Sequence, residues 1–140
     1  MTDSLNILAV IAYVAATALT IRSMGPTRTQ GTTELKALRL ALVVGLFLHG
    51  SALATVLGIG NSPNLALGTT VSGDAWLIVM LLLVSSLRAP LTSLGILILP
   101  TAAIATLVGW LYPGTLHAPA LGSIAAKSHL LIAALSYGLL

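Results

Sequence analysis

The sequence predicts an all-α polytopic membrane protein, a transmembrane helix bundle of about five spans with the last one truncated. Three observations predict it. Of the 140 residues, 57% are hydrophobic and only 6% are Asp, Glu, Lys or Arg, against roughly 25% charged in soluble domains; the mean hydropathy is +1.06. From Leu40 to Gly73 there is no charged residue at all, and about 20 apolar residues suffice to cross a bilayer. The apolar stretches are separated by breaks rich in Gly, Pro and Asn, which punctuate helices. Lipid offers no partner to unpaired backbone groups, so every span should be helical.

The first segment, Leu5 to Ile21, is preceded by Asp3 as its only charge. Without a basic n-region it reads as a retained span, not a cleaved signal peptide. SMGPTRTQGTT is a polar turn. The second segment, Ala37 to Leu57, contains His49, with Gly45 and Ala52 on its face at i−4 and i+3. Gly50, Ala54 and Gly58 form a ladder of small residues beside it, of the kind that lets helices approach closely. GIGNSPN ends that segment. The third, Val71 to Leu87, has Asp74 near its start, where the helix dipole stabilises a carboxylate, so Asp74 reads as a capping residue. After the tight connection LRAP, the fourth segment, Leu91 to Leu111, carries Pro100 midway and should kink or break there. In the following YPGTLHAPALG, His117 reads as a solvated loop residue. The last segment runs from Ile124 to the end, and only 13 uncharged residues follow Lys127. That falls short of a full span, so residues 1–140 read as a single integral membrane domain, the N-terminal part of a longer protein.

Charge placement gives an orientation. Arg22, Arg28, Lys36 and Arg39 flank or fill the first break and Arg88 sits in the third, while the second break has no basic residue. The positive-inside rule then puts the N-terminus outside. Trp76, Trp110 and Tyr112 would form an aromatic belt at the outer interface. The pI of 9.8 is not a nucleic-acid signature, because the net charge is only +3 and the basic residues lie at segment ends.

Two histidines carry the functional question. An ionisable side chain at membrane depth is costly and points to function, and imidazole is the commonest protein metal ligand. His49 reads as an axial ligand or proton carrier; the plainer alternative is a histidine hydrogen-bonded to a Ser or Thr of a neighbouring helix. His129 opens the last segment, with Ala133, Ser136 and Tyr137 following at i+4, i+7 and i+8. It reads as a ligand facing the outer side of the membrane or as an interfacial histidine sharing the water boundary with Lys127. Both histidines are expected to point into the helix bundle, not at lipid. Tyr13 in the first span reads as packing. There is no cysteine, and only three carboxylates; no P-loop, GxSxG or HExxH motif occurs. General acid–base hydrolysis has almost no candidates, and no enzyme activity is expected.

LHGSALATVLGIG around His49, NSPNLALGTTVSGDAWL, RAPLTSLGILILPTAAIATL and above all HLLIAALSYGLL carry a resemblance. The chain resembles the cytochrome c assembly protein family, haem-handling membrane proteins of the CcsA type, and within it the shorter YpjD-like or HemX-like branch. The resemblance implies a bacterial inner-membrane protein of c-type cytochrome biogenesis, with haem as cofactor and His49 and His129 as haem-iron ligands. Its implied partners are the lipid bilayer and other cytochrome c biogenesis membrane proteins or an apocytochrome, with no nucleic acid. Two alternatives stand beside it: a HemX-like regulatory or scaffold protein of tetrapyrrole synthesis, and a transporter fragment with His49 as a proton relay.

Overall fold

The computed structural model describes residues 2–24, 32–57, 64, 66–88, 92–115, 129, 132–133 and 136. Its fold is carried by α1 (Thr2–Ser23), α2 (Thr32–Val56), α3 (Leu67–Ser86) and α4 (Thr92–Leu111). All four are long and apolar enough to cross a membrane. The shortest have 20 residues, or about 30 Å at ~1.5 Å per residue, the thickness of the hydrocarbon core. The expected fifth span lies mostly outside the described residues; within it, His129, Ile132, Ala133 and Ser136 are helical.

The helices form a ring in chain order. α1 packs on α2 and α4, and α3 packs on α4 and α2. Cross-contacts show that neighbours are antiparallel. At one end Asp3 meets Trp110 and Thr69 meets the Pro113 carbonyl. At the other, Arg39 Nη2 donates to the Ser86 carbonyl at 2.8 Å, and a Cβ on Gly95 would touch Thr20.

The inward faces follow the helical repeat. Asn6, Ala9, Tyr13, Ala16 and Thr20 are the buried residues of α1, and Gly68, Thr69, Ser72, Ala75, Val79 and Leu82 those of α3. The inward seams are mostly small or polar, with Val79, Leu82 and the buried Leu42, Leu46 and Leu99 as their large apolar members, whereas many other large apolar side chains point out: Phe47 is 73% and Leu97 72% exposed. A soluble bundle does the reverse. Lipid solvates an outward Phe or Leu as well as a core would, so association depends on close packing of small residues and on interhelical hydrogen bonds. Glycine is required at close approaches between helices. A Cβ on Gly109 would lie 2.5 Å from Ser72 Cβ, and one on Gly45 would lie 2.9 Å from Tyr13 Cε1.

Three expectations are corrected. α3 begins at Leu67, after Ala66, so Asp74 lies two turns inside it and caps nothing. The uncharged Leu67–Thr70 stretch already supports a helix, and Asn64 Oδ1 accepts from the Ala66 amide just before it, at 3.1 Å. α4 runs on through Pro100, so of the expected kink or break the break is excluded. Proline leaves one carbonyl without its intrahelical donor, and the next turn is held by Thr101 Oγ1 donating to the Leu97 carbonyl at 2.7 Å. Trp76 sits halfway along α3, not at its end, where its indole donates to the Leu46 carbonyl of α2 at 2.8 Å. That leaves Trp110 and Tyr112 as the aromatic residues at the bundle end.

Candidate functional site

His49 is completely buried and lies where all four helices meet. Its Nε2 is 2.8 Å from Ser72 Oγ of α3. Its Nδ1 is 3.2 Å from Tyr13 Oη of α1 and 3.3 Å from Thr106 Oγ1 of α4. Each helix therefore contributes one side chain. The Tyr13 ring stands edge-on to the imidazole, with centroids 5.8 Å apart and planes at 73°, and Gly45 makes room for it, one turn before His49.

Hydroxyls suit this place because each can donate or accept. Thr106 Oγ1 donates to the Ala102 carbonyl at 2.7 Å, which leaves its oxygen as an acceptor. With the ring hydrogen on Nε2, His49 donates to Ser72 and accepts from Tyr13. With it on Nδ1, His49 accepts from Ser72 and donates between Tyr13 and Thr106. Either tautomer pairs both ring nitrogens, as a buried polar group in hydrocarbon requires.

The expectation that both histidines point into the bundle is met for His49 and not for His129; the partners of His49 are the Ser and Thr of neighbouring helices that the plainer reading named. Tyr13, read as packing, is also a polar partner. The spacing of Asn6, Ala9, Tyr13, Ala16 and Thr20 was the sequence trace of its inward position. His129 differs: it is helical and exposed, is not among the partners of His49, and has no hydrogen bond to another described residue. His117 lies outside the described residues, and Asp74 is half-buried.

A haem iron takes an unengaged ring nitrogen as axial ligand. As packed, His49 does not offer one, because both nitrogens are engaged and the ring is enclosed by four helices. The imidazole of His129 is exposed, and its donor chemistry fits an axial ligand. Among the described residues there is no group of three or more His, Cys, Asp or Glu that could hold a bare metal ion.

Beyond the histidine, the end of the bundle that holds Asp3 opens into a cavity of about 190 Å³. It is lined from all four helices: Thr2, Asp3 and Asn6; Ala52, Leu53 and Val56; Thr69 and Ser72; Gly109 and Trp110; with Pro113 beyond α4. Ser72 belongs both to this cavity and to the histidine cluster. The geometry thus defines a bundle of four helices long and apolar enough to cross a membrane, fastened by a buried histidine, with a mostly apolar vestibule that carries Asp3 at one end. Comparison with family models, with curated proteins and with solved structures gives no match for the chain.

Proposed function

We propose that this chain is the membrane-embedded portion of a haem-handling protein of c-type cytochrome biogenesis, in which His129 presents imidazole to the iron and His49 fastens the bundle. The observation that carries the division is the contrast between the two rings: one is sealed with both nitrogens engaged, the other is exposed. The support for haem itself is the likeness of HLLIAALSYGLL, which begins at His129, to the cytochrome c assembly proteins. A bound haem would supply iron-centred redox chemistry, while these residues would supply an axial nitrogen and an apolar scaffold.

On this reading the protein lies in a bacterial inner membrane with its N-terminus outside and a fifth span beginning near His129. The ends of α1, α2 and α3 that carry Arg22, Arg39 and Arg88 would then be cytoplasmic, and the Asp3–Trp110 end external.

The test is the Soret band of protein purified after haem-replete expression. Wild type should carry haem, and His129→Ala should lose most of it. Imidazole added to that variant should restore part of the band, since only the nitrogen donor is missing. His49→Ala should keep its haem per folded molecule but unfold more easily. Wild type without haem, or His129→Ala with as much haem as wild type, refutes the proposal. Loss in His49→Ala alone would reverse the two roles.

A further inference from the structure

The vestibule has a one-sided chemistry. Among the described residues that line it, Asp3 is the only charged one and none is Lys, Arg or His. Asp3 Oδ1 accepts from the Trp110 indole at 2.9 Å, and its second oxygen has no described partner. Asn6, one turn on along the same face of α1, gives its amide hydrogen to the Thr2 carbonyl at 3.2 Å, while its side-chain oxygen accepts from no described residue. The Thr69 hydroxyl is turned to the Pro113 carbonyl at 3.2 Å and Ser72 to His49. The Asp3 carboxylate and the Asn6 side-chain oxygen are thus acceptors left for an occupant, beside the hydroxyls of Thr2 and Ser72, which can accept as well as donate. Ala52, Leu53, Val56 and Pro113 supply the apolar remainder of the wall.

Acceptors grouped around a carboxylate call for a cation that donates several hydrogen bonds. A primary ammonium carries three N–H donors and no acceptor, and a charge-assisted bond to a carboxylate is stronger than a neutral one. The apolar wall accommodates a short hydrocarbon tail: a cavity of about 150 Å³ suffices for benzene. We propose that the vestibule is a binding site for small primary alkylammonium ions, with the ammonium between Asp3 and Asn6 and the tail along Ala52, Leu53 and Val56. This assignment is independent of haem.

The two tryptophans supply the measurement. The Trp110 indole N–H is bonded to Asp3, while that of Trp76 is bonded to the Leu46 carbonyl in mid-bundle. Butylammonium chloride is titrated into the full chain in lipid nanodiscs, and both indole signals are followed by ¹H–¹⁵N NMR. The Trp110 signal, assigned by its loss in Trp110→Phe, should shift saturably while that of Trp76 stays. Butan-1-ol and sodium chloride at equal concentration should leave both in place. Asp3→Asn, which keeps an acceptor for the indole but removes the charge, should weaken binding roughly tenfold or more, the loss of one charged hydrogen bond. Val56→Phe, which fills the wall and leaves Asp3 intact, should weaken it as well. An unshifted Trp76 signal certifies that each variant is folded. Equal binding of butanol, an equal effect of sodium, or undiminished binding in both variants overturns the proposal.

Discussion

Two hydroxyls share one nitrogen of His49, and that redundancy is measurable. Tyr13→Phe keeps the ring against Gly45 and removes only Oη; Nδ1 retains Thr106 at 3.3 Å. Thr106→Val keeps the side-chain shape, and Nδ1 retains Tyr13 at 3.2 Å. Interhelical hydrogen bonds in membrane proteins average about 0.6 kcal/mol, so each single change should cost about that much, and their sum about 1.2 kcal/mol. The double variant strips Nδ1 of every partner at a site with no solvent exposure, where an unsatisfied polar group costs on the order of 2 kcal/mol. The excess, roughly 0.8 kcal/mol, is the coupling, and it exceeds the ~0.3–0.5 kcal/mol within which independent sites add. Tyr13→Phe with Thr20→Val is the control, because the Thr20 hydroxyl is also buried but serves only the Ala16 carbonyl; that pair should be additive. The assay is reversible unfolding in mixed micelles of increasing SDS fraction, followed by far-ultraviolet circular dichroism. Additivity in the Tyr13–Thr106 pair, equal to that of the control, would refute the shared-nitrogen geometry.

Two glycines on adjoining helices should behave oppositely. Gly109→Ala would push a methyl to 2.5 Å from Ser72 Cβ and 2.9 Å from the Gly68 carbonyl oxygen. Overpacking of about 1–3 kcal/mol should outweigh the gain in helix propensity. Gly73→Ala meets nothing within 4 Å and should be neutral or stabilising by up to about 1 kcal/mol; equal midpoints in the same SDS titration would contradict the close α3–α4 contact. The orientation is open to thiol labelling, because the chain has no cysteine. Ser62→Cys should react with an impermeant reagent from outside and Thr29→Cys should not; the opposite pattern reverses the topology.

The four helices long and apolar enough to cross a membrane were legible because hydropathy alone marks them, residue by residue, without reference to neighbours. Their ends were less so. Hydropathy marks where a helix enters hydrocarbon, and α2 runs on from Ala37 back to Thr32, through Glu34 and Lys36, into the polar region. That His49 must be satisfied was also legible, since burial of an imidazole in lipid leaves no other option. Which hydroxyls satisfy it was not, because that depends on ring order and on the rotation of each helix about its axis. The usual guide to rotation, an apolar stripe facing inward, fails here: with lipid outside, Phe47 and Leu97 face out while Tyr13, Ser72 and Thr106 face in. The useful trace is the opposite one, small and polar residues recurring every three or four positions. Read that way, Asn6–Ala9–Tyr13–Ala16–Thr20 and Gly68–Ser72–Ala75–Val79 mark the inner faces of α1 and α3. The same rule separates the two histidines. His49, followed by Ala52 one turn on and with Gly45 one turn before it, sits on such a seam and is drawn into the node. His129 is not drawn in: its ring is exposed and has no hydrogen bond to another described residue.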